Sequence, residues 1–447
     1  MKFSDTIYSL VTAPINQNVA IVRISGEKAF DIPPLIAKFK EDDLVGGRVY
    51  NKDITINNEL LDNVLFLFFK GPRSFTGEDV VEIQTHGSLF VISKIAKFLE
   101  LNGLRQAEPG EFSRRSFLND KMDLVQAESI NNLILSKTKK SQEVSSAQLL
   151  GKSSSLINEL RDSILTLIAE IEVAIDYPEF EETKQTNENS VKNNLELLLK
   201  KIRKIYKDSS IMTSVNDGFK IAIVGKPNVG KSSILNSLLR EDKAIVYDLP
   251  GTTRDVVEGE FYLDGLLYKL IDTAGIRKAD SKIEELGIEK SLKKINEADI
   301  IVSVFDSSKK LSKEDKFVLD SVKDKNNIIV LNKKDLTRRI EIDSKDAIEI
   351  SAKSGNLDKL VKEIVKRTKK INVPTSNDVL LGERQLSLLE KSINSLEEII
   401  STIDNSLSVD LISEDIKEVY SILSEILGEK VDGNLLDKIF SKFCLGK

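Results

Sequence analysis

The sequence predicts a multidomain protein of mixed α/β and all-α class. It divides into an N-terminal α/β domain, a discontinuous helical domain, and an α/β domain with a mostly parallel sheet inserted between the two helical parts. Three observations carry that expectation. Short β-branched runs separated by turns precede residue 119, apolar residues recur three or four apart on either side of residues 218–370, and within 218–370 strand, loop and helix alternate. The expected boundaries are 1–119, 120–217, 218–370 and 371–447.

At 447 residues the chain is long enough for several domains with separate cores. It carries 65 basic and 71 acidic residues, a net charge of -6, so overall charge does not advertise a nucleic-acid binder and any RNA contact must use a local basic face. One cysteine excludes an internal disulfide framework, and no Cys/His cluster can hold zinc. No apolar run approaches the roughly 18 residues of a membrane-spanning helix, and Met1–Asp5 does not read as a signal peptide. A cytoplasmic protein with no membrane partner is expected.

In chain order, Val19–Ile24, Asn63–Phe69 and Asp79–Ile83 read as strands, and Leu89–Leu101 as a helix closed by Glu108-Pro109-Gly110. Beyond Lys121, Ile157, Leu160, Ile164, Leu167 and Ile171 define an amphipathic helix that Asp176-Tyr177-Pro178-Glu179 breaks. Val191, Leu195, Leu198, Ile202 and Ile205 restart the period. After Asn372-Val373-Pro374 the helical period returns through Leu386, Leu389, Ile393, Leu396, Ile400 and Ile403, then Ile412, Ile416, Val419, Leu423 and Ile426. That stripe reads as intramolecular core, not a partner seam.

The most informative stretch is Gly225-Lys226-Pro227-Asn228-Val229-Gly230-Lys231-Ser232-Ser233, directly after the strand-like run Phe219–Val224. Glycines at both ends let backbone N–H groups turn inward around a polyphosphate, Lys231 reaches the outer phosphates, and Ser232 binds magnesium. Tyr247, Asp248, Leu249, Pro250, Gly251, Thr252 and Thr253 supply the segment that folds over it, with Thr253 on the metal and γ-phosphate side. Asp272-Thr273-Ala274-Gly275 follows a strand. Its Asp272 holds magnesium through water, and Gly275 senses the γ-phosphate by its backbone. Asn332, Lys333 and Asp335 end another apolar run, where the Asp335 carboxylate accepts from guanine N1–H and N2–H₂. Adenine lacks that donor pair, so the base is guanine. Ser351, Ala352 and Lys353 fit a loop closing over the base. The chain is expected to bind and hydrolyse GTP.

Three regions resemble one family, the bacterial and organellar tRNA modification GTPases called MnmE or TrmE. They are Arg23-Ile24-Ser25-Gly26 with Phe75–Ile83 and Glu108–Asn119, then the guanine-nucleotide set with Gly251–Asp255, and finally Ile439-Phe440-Ser441-Lys442-Phe443-Cys444-Leu445-Gly446-Lys447. The resemblance implies a Ras-like P-loop G domain inserted in a helical domain, behind a folate-binding N-terminal domain. It implies a homodimer that, with a flavin-dependent partner in a heterotetramer, adds a carboxymethylaminomethyl-type group to the wobble uridine of certain tRNAs. A reduced folate of the 5-formyl- or 5,10-methylene-tetrahydrofolate type donates the carbon, at a pocket matching Arg23, Glu82, Lys121 and Lys447. Ile276 stands where Ras-like proteins place a water-orienting glutamine. The resemblance supplies the remedy: potassium held by Asn228 with Tyr247, Leu249 and Thr252, and Glu284 acting through water, with Lys231 also catalytic.

The chain departs from the family at Leu445, where isoleucine or valine is usual and the change is conservative, and in one loop. Ala13–Ala20 stands where Pro-Pro-Gly-x-Gly-Gly-Val-Gly is usual, which removes easy access to positive φ. Cys444 fits a small buried hydrophobe better than a nucleophile or a prenylation site, and His86 fits a structural role. The alternative function is a GTP-dependent RNA-binding assembly factor that performs no covalent chemistry on RNA, but no KH-type GxxG module accompanies the GTP motifs.

Overall fold

Period-two alternation governs the N-terminal part of the computed structural model, which describes residues 5–40, 44–176, 188–240, 257–271, 295–342, 347–369, 371, 373–374, 378–404, 409–443 and 446. Contacts group the chain into two compact units. Met1–Leu135, Ser146–Lys200 and Ser387–Lys447 form one, and Ser136–Ser145 with Lys201–Leu386 form the other.

The first unit contains a sheet of six strands: β1 (Ile7–Leu10), β2 (Gln17–Ser25), β3 (Val49–Ile56), β4 (Glu59–Phe69), β5 (Val80–Gly87) and β6 (Arg105–Gln106). Their order is β3-β4-β5-β2-β1-β6, antiparallel except for β1 with β6. Val22 and Ile24, Val64, Phe66 and Phe68, and Val81 and Ile83 fill one face, with Ile95 and Leu99 of helix Leu89–Leu101 in the same core. Because side chains alternate along a strand, committing those positions to the core sends Arg23 and Glu82 to the opposite face. They stand directly opposite each other in the β2/β5 register.

The glycine-poor loop before β2 takes its path from side chains. Thr12 Oγ1 accepts from the Ile21 backbone, Gln17 donates to the Ala13 carbonyl, and Asn16 Oδ1 accepts from Leu89 N, the first amide of the following helix. An unsatisfied helix N–H is thereby capped by a loop side chain.

Helix Glu111–Leu118 buries Arg115 completely, with its side chain 0% exposed. Its guanidinium donates to Asp5 Oδ1 at 2.8 Å, Glu78 Oε1 at 3.1 Å and Glu111 Oε1 at 3.0 Å. Burial pushes the Asp5 and Glu111 carboxyls up, but hydrogen bonds and charge from Arg105 and Arg115 outweigh it and hold both below their usual range. Arg115→Met removes the buried cation, leaving Asp5 and Glu111 to Arg105 alone and Glu78 to the Ser25 hydroxyl. Because one charge partner remains, the expected cost is about 3 kcal/mol, the low end for breaking a buried pair. Loss of amide hydrogen-exchange protection in β1 and β2 measures it. The lowered carboxyls also fix the sign of the pH response. Their stabilisation is present above the unfolded carboxyl values near 4 and is lost as pH falls through the lower folded ones.

The predicted helical period is buried as expected. Ile157, Leu160, Ile164, Leu167 and Ile171 of helix Lys152–Asp176 line the side that meets helix Val409–Leu427. Arg161 reaches the Tyr420 hydroxyl at 2.8 Å and Glu429 at 2.9 Å, and Lys417 pairs with Glu172. Helix Gly433–Phe440 packs Leu436 and Phe440 with Leu124 and Ala127, and Asp437 pairs with Arg114 at 2.9 Å.

The second unit holds β7 (Phe219–Val224), β8 (Val257–Leu263), β9 (Leu266–Ile271), β10 (Ile300–Asp306), β11 (Asn327–Asn332) and β12 (Ile348–Glu349) in the order β12-β11-β10-β7-β9-β8. Only the β8/β9 hairpin is antiparallel. The central strands β7 and β10 are apolar almost throughout because helices Lys231–Arg240, Lys313–Ser321 and Asp358–Lys369 accompany a sheet buried on both faces. In such a fold ligands gather beyond the carboxyl ends of the parallel strands.

Candidate functional site

Four loops meet at that edge of the second unit, after β7, β10, β11 and β12. The loop after β7 turns at Gly225 (φ +146°), Asn228 (φ +63°) and Gly230 (φ +104°) before helix Lys231–Arg240 begins. Glycine is required at both flanks. A Cβ on Gly225 would stand 2.3 Å from the Val304 carbonyl oxygen, and one on Gly230 would stand 2.1 Å from Asn332 Nδ2. Lys231 Nζ donates to the carbonyls of Gly225 and Lys226, each at 2.7 Å, and burial lowers its ammonium below the ordinary lysine value. A partly desolvated cation among inward-turned backbone is suited to a polyphosphate. Val229 is buried, whereas Ser232 and Ser233, which follow Lys231 in the first helical turn, are exposed.

Asn332, the last residue of β11, joins this loop to the base-side loop. Its Nδ2 donates to the Val229 carbonyl at 2.7 Å and its Oδ1 accepts from Ala352 N at 2.9 Å. A side chain that must both donate and accept here is naturally an amide. Ser351 donates to Asp335 Oδ1 at 2.7 Å, and that bond holds the Asp335 carboxyl below its usual range. Lys333 (φ +66°) reaches back to Asp306 Oδ2 at 2.6 Å. Burial pushes the Asp306 carboxyl up, but Lys333 and Ser308 outweigh it and keep it ionised. Lys353 lies in the same short turn, Ala352–Ser354, and its charge also lowers Asp335.

Sequence spacing did not mark two further members. Lys226 Nζ bonds Asp315 Oδ2 at 2.7 Å and Ser312 Oγ at 3.0 Å, and the same Ser312 and Asp315 form the capping box of helix Lys313–Ser321. Asp315 is buried, and the pair fastens the phosphate-type loop to the segment after β10. The serine three residues before an aspartate is the one sequence cue to the cap. Tyr247, Asp248, Leu249, Pro250, Gly251, Thr252, Thr253, Asp272, Thr273, Ala274, Gly275, Ile276 and Glu284 lie outside the described residues.

In the first unit, Arg23 and Glu82 make an ion pair, with Nη2 at 2.7 Å and Nε at 2.8 Å from Oε1. Both contacts converge on one carboxylate oxygen, and the guanidinium lies 5.4 Å from the Phe75 ring and 5.5 Å from Phe112. Lys121 Nζ donates to the Pro72 carbonyl at 2.9 Å, on the turn that also presents Phe75. Gly446 comes against β1, where an added Cβ would stand 2.9 Å from the Leu10 carbonyl oxygen. Ser9, the neighbour of Leu10, is registered opposite Arg23, so Gly446 lies against the strand that neighbours the Arg23 strand. Lys447 and Cys444 lie outside the described residues. His86 projects from the end of β5 to Asp62 at 2.6 Å with its side chain 75% exposed, a surface bond between strands.

Among the described residues, no group of histidine, cysteine and carboxylate side chains could hold a metal ion, and no helix is long and apolar enough to cross a membrane. Family models match two regions: "MnmE helical domain" over residues 124–444 and "GTP-binding protein TrmE N-terminus" over residues 6–121. The chain is similar to the tRNA modification GTPase MnmE of Clostridioides difficile (strain 630), at 39% identity over 462 residues covering 100% of both chains. It is also similar to the proteins of that name from Thermotoga petrophila and Streptococcus thermophilus (strain CNRZ 1066). The first is 39% identical over 99% of this chain and 100% of the relative, the second 40% identical over 100% and 99%. With the guanine-type loops assembled at one sheet edge and the likeness running the full length of both chains, this chain belongs to the MnmE family of tRNA modification GTPases.

Proposed function

We propose that this protein is a potassium-dependent GTPase that, with a flavin-dependent partner, adds a carboxymethylaminomethyl-type group to the wobble uridine of certain tRNAs, using a reduced folate as one-carbon donor. The observation that carries the reading is the full-length likeness to tRNA modification GTPases. It works as a cytoplasmic homodimer joined to its partner in a heterotetramer, and its chain divides functionally at 119, 217 and 370. Magnesium sits on Ser232 and Thr253. Potassium sits on Asn228 with Tyr247, Leu249 and Thr252, and Glu284 acts through water.

Folate suits the Arg23 group chemically. Its glutamate tail calls for cations such as Arg23, Lys121 and Lys447, and its pterin N–H groups call for a carboxylate acceptor such as Glu82, whose Oε2 is not taken up by Arg23. The partly exposed ring of Phe75 beside Arg23 adds a flat, apolar wall, backed by the buried Phe112.

Nucleoside mass spectrometry of tRNA from cells lacking the protein tests the reading. The modified wobble uridine should disappear and return on complementation with the wild-type chain. Arg23→Ala should fail to restore it, although the purified variant hydrolyses GTP at the wild-type rate. Unchanged wobble uridines in the deletion strain would defeat the proposal.

A further inference from the structure

The net charge of -6 hides one strongly basic face. Helix Glu188–Asp217 runs Leu197-Leu198-Leu199-Lys200-Lys201-Ile202-Arg203-Lys204-Ile205-Tyr206-Lys207, with five cations and no carboxylate. Leu198, Leu199, Ile202 and Ile205 are buried, whereas Lys200, Lys201, Arg203, Lys204 and Lys207 are all exposed. Lys200, Lys204 and Lys207 recur at helical spacing, so they form a single stripe along a helix held firmly by its other side.

A run of charges on a helix is ordinarily a solvated face balanced in part by nearby carboxylates, and several cations elsewhere in this chain are balanced in that way. Lys366 and Arg367 of helix Asp358–Lys369 both pair with Glu363, Lys369 pairs with Asp264, and Lys417 pairs with Glu172 and Glu414. By contrast, Lys200, Lys201, Lys204 and Lys207 have no ion-pair partner among the described residues. Glu196, four residues before Lys200, is paired with Lys192 instead. Four neighbouring ammonium groups that make no ion pair among the described residues repel one another, an arrangement relieved by an external polyanion.

We propose that this stripe is a docking surface for the phosphate backbone of tRNA, a surface distinct from both sites described above. The proposal rests on the tRNA-modifying reading of the protein. Lys200 to Lys207 spans about 10 Å of helix, enough to face about three successive phosphates of one strand. Compact, strongly hydrated ammonium groups on flexible stems suit backbone contact without base reading, so the stripe contributes affinity and leaves sequence choice to other residues.

The test uses the full-length protein and an unmodified transcript of a tRNA with a wobble uridine, titrated between 50 and 300 mM potassium chloride, about the range over which counterion release is readily seen. A variant carrying K200Q, K201Q, K204Q and K207Q keeps good helix formers. It should bind about tenfold or more weakly near 0.15 M salt, and the slope of log affinity against log salt should fall by about 2–3, as the loss of about three phosphate contacts requires. GTP hydrolysis without tRNA should stay at the wild-type rate, and the matching four Lys→Arg variant should bind as wild type does. An unchanged salt slope in the Gln variant would overturn the surface while leaving the tRNA reading intact. Failure of the wild-type chain to bind tRNA at all would overturn both. If the Gln variant loses binding to phosphatidylglycerol vesicles but keeps tRNA affinity, the stripe belongs to a lipid surface and the RNA proposal fails.

Discussion

Replacing potassium chloride by sodium chloride at matched ionic strength should slow GTP hydrolysis by about 10³-fold, the lower end of what an arginine finger supplies in related chemistry. With Ile276 in the position of a water-orienting glutamine, charge building on the phosphates needs another cation. Asn228 sits in the tightest part of the loop, at φ +63°, two residues after Lys226, whose ion pair to buried Asp315 fixes the loop's path. A carboxamide oxygen held on a fixed backbone is a suitable ligand for a hard cation, and cavity size then separates potassium from sodium. The backbone angle also selects the variant. Alanine at φ +63° would strain the loop, so a loss of rate would be ambiguous. Asn228→Gly removes the ligand oxygen and accepts the angle. It should abolish the potassium response while GTP binding, proposed to rest on Lys231 and Asp335, stays within a few-fold of wild type. Steady-state hydrolysis in the two salts, with equilibrium binding of a fluorescent GTP analogue, checks both halves. Equal rates of the wild-type protein in potassium and sodium would overturn the role given to Asn228.

Asp335→Asn should turn the base preference from guanine towards xanthine. In the proposed base site the carboxylate would accept from N1–H and N2–H₂ of guanine, whereas an amide would accept from N1–H and donate to the O2 carbonyl that xanthine carries instead. Ser351 holds Asp335 through Oδ1, and its hydroxyl can make the same bond to an amide oxygen, so the loop geometry should survive. Leaving guanine's second donor unpaired costs about 1–3 kcal/mol, or roughly 5–150-fold in affinity. Xanthosine triphosphate should gain by a similar factor. Because Ser351 holds the wild-type carboxyl below its usual range, Asp335 stays ionised across neutral pH, and wild-type discrimination should be flat there. Competition binding of the two triphosphates to wild type and variant measures the change. Preserved preference for GTP in the variant would remove the base-reading role.

Much of the scaffold was legible in the chain. Helix Leu89–Leu101 has the bounds its periodicity implies, and the buried stripe of Lys152–Asp176 is the one its spacing picked out. Strands β7 and β11 end where the phosphate-type and guanine-type motifs begin. These features depend on neighbours within a few residues, through side-chain alternation, helical period and the conformational freedom of glycine, so composition and spacing are enough to specify them.

What holds the motifs in place was not legible. Asn332 ties Val229 to Ala352 across 103 and 20 residues of sequence, Lys226 meets Asp315 across 89, and Arg115 meets Asp5 across 110. The Thr12, Asn16 and Gln17 side chains that shape the glycine-poor loop show the same limit, since absent glycines mark only what the backbone cannot easily do. Such pairs form only because both sheets close and bring distant segments together, and the entropy of closing those long loops is recovered by burial of the whole core. No local pattern records which donor will then face which acceptor. The sequence by itself determined the elements, the order of the nucleotide motifs and the base they are built to read; the tertiary structure alone decided which side chains lock the loops together and which cations are left facing outward without a partner.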